Sequence, residues 1–412
     1  MARTVYLMCE LKSRDLDSRL LVAAHLLNAG LDVVIGQQWT MVQNAATIPK
    51  GIFLFKTANR IQAEGMGYVR KHGHVTVAMD EEVLGMMDPT VVGLMTDPRA
   101  FNADAFLFQN AQHRSMFERE GPIVGNVRVD LLRSWREFYA AEAAECASRG
   151  PYLLINTNYA LCNSVWGAQR MYEITTGAWR PDMSVPAIRA YMESWPVTEQ
   201  RNFEAMVGYL RLLVPRLGGL RLVIRPHPAE NHEVWRSVAG AEILTGTNPI
   251  PWIMGATLTV HTNSTTGLEA ALLECPSLNL NPDPDSALSR SFATNNAPFQ
   301  ASTPEEAFHA THRALAGESL PNATAWLPHF PDNAAALVAA EIAARAIDGP
   351  RVAGWPRARR QPVETEKFSA TFDEVSARLG RLSALMGGPQ LIGGTLDDSL
   401  FWFGRSPSGE ST

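Results

Sequence analysis

Two groups of polar residues in the second half of the chain follow apolar runs, and their chemistry suits an anion site. Arg225 and His227 come after the run 220–224, which is predicted to be a buried strand. Three consecutive hydroxyl residues stand between a second apolar run, 257–260, and the helical run 268–273, namely Ser264, Thr265 and Thr266. Arginine and histidine supply cationic hydrogen-bond donors, and the start of a helix offers free main-chain N–H groups. The pattern therefore predicts a site for a nucleotide phosphate.

Neighbouring residues belong to the same prediction. Pro226 and Pro228 stand on either side of His227 and keep its backbone extended and stiff. Asn263 precedes the hydroxyl residues and Glu269 follows them, so both are candidate binding residues. A Ser/Thr group before a helix is more often only a cap. Two polar groups at the ends of consecutive predicted strands favour the binding interpretation.

Charged and polar residues also follow three other predicted strands, 5–8, 75–79 and 152–155. The candidate residues after these strands are Glu10, Lys12, Arg14, Asp80, Glu81, Glu82, Asn156 and Asn158. In open α/β sheets, ligands bind outside the carboxyl ends of the strands. We therefore expect these side chains to face a ligand.

Strand-like runs alternate with helical stretches of ten or more residues, which predicts βαβ units and parallel sheets. The predicted fold class is therefore α/β with parallel sheets. Gly150 and Pro151 break a helix immediately before a new strand and mark the predicted boundary. The predicted domains are 1–149, 150–350 with the phosphate site, and a helical extension with a Gly-rich tail, 351–412.

The composition is that of a globular protein. Of 412 residues, 46% are hydrophobic and 19% are charged, and the net charge of -6 argues against a protein that coats nucleic acid. The four cysteines are far apart and form no metal-spaced pair, so they are predicted to be reduced. The sequence shows no signal-peptide pattern and no apolar run of the roughly 20 residues that span a bilayer. A cytoplasmic location is expected.

An arginine-rich segment, 351–360, contains four arginines and Trp355. Such a segment suits peripheral contact with the inner membrane, although a solvated charged loop is the commoner structure.

Six runs, taken together and in order, resemble the bacterial surface carbohydrate biosynthesis proteins: 10–21, 80–82, 125–130, 155–158, 225–232 and 263–269. That family is similar to the GT-B glycosyltransferases, which have two Rossmann-like domains and use CMP-activated acidic sugars. Sialyltransferase-like enzymes and the Kdo transferases of capsule and lipopolysaccharide assembly belong to that group. The resemblance implies a GT-B-like fold, with two Rossmann-like domains whose parallel sheets face a central cleft, and it implies a CMP-sugar donor.

The resemblance also implies which residues hold the donor. The His-Pro motif of those enzymes corresponds to His227-Pro228, and their Ser-Ser/Thr motif to Ser264-Thr265; both motifs hold the CMP phosphate and ribose. His227 is thereby implied as a catalytic residue that stabilises the departing phosphate. Glu269 is a candidate for the ribose hydroxyls.

An acidic motif in the first domain of those enzymes corresponds to Asp80-Glu81-Glu82, and it implies a carboxylate that takes the proton of the acceptor hydroxyl. Asp80 is the first choice and Glu81 the second, because alternate residues of an extended segment point to opposite sides. Val83 follows, where such motifs have glycine. Lys12 and Arg14 are candidates for the sugar carboxylate or for an anionic acceptor. The scheme needs no metal and no other cofactor.

The predicted function is transfer of Kdo or a nonulosonic acid from a CMP-activated donor to a surface polysaccharide or lipopolysaccharide acceptor, a glycan or glycolipid. Retention and inversion at the anomeric carbon both remain open. One enzymatic alternative is a CDP-alcohol phosphotransferase of the teichoic-acid type, which attacks phosphorus, and another is a sugar-nucleotide epimerase. A non-catalytic sugar-nucleotide-binding subunit of a polysaccharide assembly complex is the alternative from a different class.

Overall fold

The computed structural model describes residues 3–318, 320, 324–356 and 367–406. Contacts divide the chain into two compact units. The first holds the described residues within Met1–Glu82, Thr96–Phe138 and Phe330–Thr412, and the second holds those within Val83–Met95 and Tyr139–His329.

Strands and helices alternate along most of the described chain. The strands are β1 Thr4–Cys9, β2 Asp32–Gln37, β3 Ile52–Phe55, β4 Val75–Met79, β5 Ala105–Leu107, β6 Tyr152–Asn156, β7 Arg221–Arg225, β8 Ala241–Ile243, β9 Leu258–His261, β10 Ser277–Leu280, β11 Gln300–Ala301, β12 Leu391–Asp397 and β13 Leu400–Arg405. The α-helices are α1 Lys12–Asn28, α2 Gln38–Gln43, α3 Arg60–Lys71, α4 Pro89–Met95, α5 Ala111–Ser115, α6 Val127–Arg133, α7 Ala140–Ser148, α8 Ala168–Trp179, α9 Pro186–Leu213, α10 Glu233–Arg236, α11 Pro249–Gly255, α12 Thr265–Leu272, α13 Ala287–Arg290, α14 Pro304–Leu315, α15 Ala334–Ala343 and α16 Phe372–Leu385. Short 3-10 helices occur at Pro98–Asn102, Arg136–Tyr139, Val214–Arg216 and Ala293–Asn296.

The sheet of the first unit has the strand order β12-β13-β2-β1-β3-β4-β5. Strands β1 to β5 are parallel, and every residue of β1 and β2 is buried. Buried parallel strands are near-continuous apolar runs, which explains why their positions are readable from the sequence. This sheet supports the first group of candidate residues, because Glu10 follows β1 and Asp80 follows β4.

In place of the predicted Gly-rich tail, residues 391–405 form a hairpin whose second strand pairs antiparallel with β2. Phe401 and Phe403 are two residues apart in β13, so they lie on the same side of the strand, and both are buried. Burial of these aromatic side chains favours a strand here. Gly393 allows close packing, since a Cβ at this position would lie 2.6 Å from the Phe403 ring. The glycines of this segment therefore serve the hairpin.

The second sheet has the order β11-β10-β9-β6-β7-β8, and all of its pairings are parallel. In its register, Asn156 lies beside Arg225, and His261 lies beside Asn279. A buried hydrophobic cluster, which includes Trp235 and apolar side chains of several of these strands, forms the core on one face of this sheet. The order places β6 between β7 and β9, so the carboxyl ends of these three strands are neighbours.

The sequence pattern over 197–217 predicts a long amphipathic helix, but the observed helix α9 has different bounds. It begins at Pro186, ends at Leu213 and contains Pro196. Thr198, whose hydroxyl would suit it to cap a helix over 197–217, lies inside α9, and this hydroxyl donates to Asp283 Oδ2 at 3.2 Å. A proline in the third turn does not break this helix, because the helix packs along the second unit on both sides of it.

The division into units also differs from the predicted domain boundaries at 149/150 and 350/351. Helix α7 belongs to the second unit because it packs on α11, where a Cβ on Gly255 would lie 3.0 Å from the carbonyl oxygen of Ala143. The described part of 351–412 belongs to the first unit because it extends that unit's sheet. Gly150-Pro151 separates a helix from a strand only locally. The unit to which a helix belongs is decided by the elements on which it packs.

The prediction of an α/β fold with two mainly parallel sheets is confirmed. No helix in the described ranges is long and apolar enough to cross a membrane. Residues 357–360 of the arginine-rich segment lie outside the described residues. In the described part, the Trp355 ring packs 6.0 Å from Tyr6, and Arg351 pairs with Asp32 at 3.0 Å.

Candidate functional site

The turn after β7 carries the His-Pro motif, and hydrogen bonds hold its backbone. His227 and Pro228 are exposed, whereas Glu230 is fully buried. The main-chain N–H of His227 donates to Glu230 Oε1 at 3.0 Å, and the N–H of Glu230 donates back to the His227 carbonyl at 2.9 Å. The turn is thus closed from both ends without help from the imidazole.

The His227 ring has a defined orientation within this turn. Its Nδ1 accepts the main-chain N–H of Ala229 at 3.2 Å. The neutral imidazole therefore carries its proton on Nε2, the nitrogen that can donate to an oxyanion. Arg225, at the end of β7, donates from Nε and a terminal nitrogen to the Thr247 carbonyl at 3.3 and 2.9 Å. It thereby holds the loop after β8.

The predicted cap at the start of α12 is present. Ser264 is the N-cap, and its Oγ accepts from the Thr266 N–H at 3.3 Å. Thr265, the first helical residue, is exposed, while Ser264 and Thr266 are buried. Asn263 has a positive φ of 42°, and it exchanges two hydrogen bonds with the Asn279 side chain, at 2.8 and 3.0 Å. Asn279 thus holds the backbone bend that starts the helix.

Sequence reasoning missed His261, which lies beneath the same helix start. It is 1% exposed, and burial lowers its pKa to about 3, so the imidazole is neutral. A Cβ on Gly267 would lie 2.2 Å from the imidazole atoms Cε1 and Nε2. The first turn of α12 therefore rests directly on this ring, and Gly267 is required by that contact. The sequence signal that could have identified His261 is its position at the end of an apolar strand.

Substitution of Gly267 by alanine should lower the melting temperature, because the added methyl group meets His261 where neither group has room to move. Overpacking of this kind costs about 1–3 kcal/mol. Gly177, in the last turn of α8, is the matched control, since nothing lies within 4 Å of its Cβ position. Gly177→Ala should leave stability unchanged or raise it. Thermal unfolding measures both, and equal melting temperatures for the two variants would contradict the contact.

The candidate Asn156 is the last residue of β6, and it is 2% exposed. Both polar atoms of its side chain lack a hydrogen-bond partner among the described residues. It lies in register with Arg225, and the residue before it pairs with Val260, so His261 is its neighbour on the other side. Asn158 lies beyond the strand end, where its Oδ1 is 3.5 Å from the Thr262 hydroxyl. Polar side chains therefore line the carboxyl edge of three adjacent strands.

Glu269 lies in the second turn of α12 and is 5% exposed. Glu269 therefore belongs to the same helix as the Ser264 cap. Its role in binding the ribose hydroxyls stays a prediction.

In the first unit, Asp80 follows β4 and is 2% exposed. Burial, with the nearby Glu82 carboxylate, raises its pKa to about 7. Hydrogen bonds from the Thr96 hydroxyl, at 3.1 Å, and from the main chain of Glu82 and Ala58 limit the rise. The Asp80 carbonyl accepts from the Gln109 side chain. A carboxyl group with this pKa exchanges protons near neutral pH.

Glu81 has a structural partner, which disfavours it as the second choice of base. Its two carboxylate oxygens accept from the guanidinium of Arg19 at 3.1 and 2.9 Å, and Arg19 is 0% exposed. Arg19 also donates to the Met8 carbonyl at 3.2 Å. This partly buried bidentate pair ties the acidic triplet to α1 and β1.

Predicted binding residues near β1 also form ion pairs. Lys12 pairs with Glu374 at 2.7 Å, and Arg14 pairs with Glu82 at 2.8 Å. Glu10 lies 3.1 Å from the ammonium group of Lys56.

Lys56 and Asp15 were not predicted, although they organise this edge. The Asp15 carboxylate accepts from Lys56 at 3.0 Å and from the N–H groups of Glu10 and Leu11 at 2.8 and 2.9 Å. Burial opposes ionisation of Asp15, but the surrounding cations, Lys56 first, lower its pKa. Lys56 therefore holds the loop that carries the charged candidates. In the described part of the chain, no group of three or more His, Cys, Asp or Glu side chains could hold a metal ion.

No protein-family model and no curated protein matches the sequence. Among solved structures, the chain is similar to a putative UDP-N-acetylglucosamine 2-epimerase from Listeria monocytogenes, with 12% identity, 83% of this chain and 96% of that chain covered, and a TM-score of 0.47. It is also similar to UDP-GlcNAc 2-epimerase from Methanocaldococcus jannaschii, with 10% identity, coverages of 83% and 99%, and a TM-score of 0.47. A third similar structure is MurG of Acinetobacter baumannii, with 12% identity, coverages of 82% and 99%, and a TM-score of 0.40. Each of the two units of this chain is built on its own α/β sheet.

Proposed function

We propose that this protein is a metal-independent glycosyltransferase that moves an acidic sugar, Kdo or a nonulosonic acid, from a CMP-activated donor to a surface glycan or glycolipid acceptor. One observation carries the proposal. The His227 turn and the Ser264 cap follow β7 and β9, which flank β6 in one parallel sheet. Parallel strands end at the same edge, so both motifs belong to one ligand-facing edge.

The donor phosphate is the group that this edge would bind. During transfer, the bond between the anomeric carbon and the phosphate oxygen breaks, and its electron pair stays on CMP. The Nε2–H of His227 donates to that oxygen, and the free N–H groups at the start of α12 hold the others. The neutral His261 adds no charge to the edge, so the cationic contribution comes from Arg225 and from His227 when it is protonated.

The acceptor hydroxyl must lose a proton as its oxygen bonds to the anomeric carbon. We assign this proton to the carboxylate of Asp80, whose pKa of about 7 matches the working range of a general base. The pairing of Glu81 with Arg19 supports this order of preference. The proposed binding residues are Glu10, Lys12, Arg14, Asn156, Asn158, Pro228, Asn263, Thr265, Thr266 and Glu269.

The test is incubation of the full chain with CMP-Kdo, a CMP-nonulosonic acid, CDP-glycerol and a UDP-sugar, each with and without a glycan acceptor. Acceptor-dependent release of CMP from one of the first two donors is expected. Release of CMP from CDP-glycerol alone would identify a phosphotransferase, and turnover of the UDP-sugar without acceptor would identify an epimerase. Binding of CMP without turnover of any donor would identify a non-catalytic subunit.

A further inference from the structure

Glu230 is a fully buried carboxylate near the proposed phosphate edge, and it accepts five hydrogen bonds. It is 0% exposed. Its Oε1 accepts from Thr157 Oγ1 at 2.7 Å and from the main-chain N–H groups of Tyr159 and His227, both at 3.0 Å. Its Oε2 accepts from Asn163 Nδ2 at 3.3 Å and from Trp235 Nε1 at 2.9 Å. All five donors are uncharged.

A buried carboxylate of this kind restrains every group that donates to it. A donor that turned away would leave part of the charge unsatisfied in a site that excludes water, which is costly. The five donors come from the loop after β6, the turn after β7 and the helix α10. One carboxylate therefore couples two neighbouring loops at the carboxyl edge of the second sheet.

The restraint on His227 has a chemical consequence. Glu230 binds the main-chain N–H of His227, and this orients the turn so that the Ala229 N–H reaches Nδ1 of the imidazole. With Nδ1 accepting, the proton of the neutral ring is on Nε2. The position of Glu230 therefore selects the tautomer that can donate to an oxyanion.

We infer that Glu230 is a positioning residue for His227. Its carboxylate joins the loop after β6 to the His227 turn and keeps the Nε2–H tautomer ready for the donor phosphate. The part of this inference that concerns phosphate rests on the proposed function. The part that concerns the His227 tautomer rests on the hydrogen bonds alone.

The variant Glu230→Gln tests it, because an amide NH2 group cannot accept from the donors that face it. Long-range 1H–15N NMR spectra of the full chain report the tautomer, and comparison with His227→Ala assigns the His227 signals. The wild-type protein should show the Nε2–H form. In Glu230→Gln, a mixture of tautomers and a displaced His227 main-chain amide signal are expected, with CMP binding weakened about tenfold.

Glu199→Gln is the matched control. Glu199 is also a buried carboxylate, and it accepts from the N–H groups of Leu161 and Cys162 at 2.6 and 2.8 Å and from the Trp195 indole at 2.9 Å. It thus holds the same loop after β6, but these bonds do not reach the His227 turn. This variant should keep the wild-type His227 signals and bind CMP within about twofold of the wild type.

Each outcome decides the inference. Unchanged His227 signals in Glu230→Gln overturn it, and so do equal changes in both variants, since these would show only a general loosening of the loop. If the wild type binds no CMP while the tautomer still responds to Glu230→Gln, the proposed function fails and the positioning role stands. Should Glu230→Gln not fold, Thr157→Val removes one donor to Oε1, and an unchanged His227 spectrum in that variant overturns the inference.

Discussion

Replacement of His227 by alanine is expected to lower kcat/KM for the CMP-sugar donor by about 10²–10³-fold, the loss that follows removal of one donor to a developing negative charge. The protein should stay folded. The bonds that close the turn run between main-chain groups and Glu230, and they do not involve the imidazole. Alanine removes the hydrogen bond from the Ala229 N–H to Nδ1, and this N–H can bond to water instead because the bond lies at the exposed surface of the turn.

The measurement is steady-state release of CMP, with circular dichroism and thermal unfolding to verify the fold. His232→Ala is the matched control, because this histidine belongs to the same turn and its Nε2 lies 3.3 Å from the His227 carbonyl oxygen. It should retain kcat/KM within about twofold. A His227→Ala variant with wild-type kcat/KM would remove the leaving-group role, and the phosphate edge would lose its principal side-chain donor.

The strands that carry the candidate site could be predicted because each is a buried, nearly continuous apolar run. Val75–Met79 was predicted with its observed bounds, and the strands ending at Arg225 and His261 were displaced by one residue. The cap at Ser264 was also predictable, since a side-chain cap acts over two or three residues. Local chemistry thus reveals where strands end and where α12 begins.

Buried charged partners could not be predicted, because they depend on contacts between distant parts of the chain. Arg19 stands among charged residues near the start of α1, a position typical of a surface side chain. It is nevertheless fully buried and pairs with Glu81, 62 positions away. Lys56 follows an apolar strand with no other distinguishing signal, and its partner Asp15 is 41 positions away. A buried charge is tolerated where an ion pair or several hydrogen bonds compensate for the lost water. The fold alone reveals which charges have such partners.

The C-terminal hairpin was missed for a related reason. Its glycines led to the prediction of a Gly-rich tail, whereas the strand signal was the alternation of buried aromatic residues in β13. The partner strand, β2, is more than 360 residues earlier. Pairing with an edge strand far along the chain supplies the stability that the local sequence lacks.

The pH dependence of transfer should identify the general base. If Asp80 takes the acceptor proton, kcat/KM depends on its ionised form, so the rate should rise with pH through about 7 and level off above it. Below that midpoint the rate should fall tenfold per pH unit. Asp80→Asn, which cannot accept the proton, should lower kcat by about 10²–10⁴-fold and abolish this limb of the profile.

Thr96→Val separates Asp80 from other groups that titrate near neutrality. The Thr96 hydroxyl donates to Asp80 Oδ2 at 3.1 Å, which stabilises the ionised form and lowers the pKa of this carboxyl. Its removal should therefore raise the pKa of Asp80 and move the midpoint of the pH profile upward, while the plateau rate at high pH stays near that of the wild type. A midpoint that does not move in Thr96→Val assigns the titration to another group. A fully active Asp80→Asn variant excludes Asp80 from proton transfer, because the asparagine amide cannot take up a proton near neutral pH.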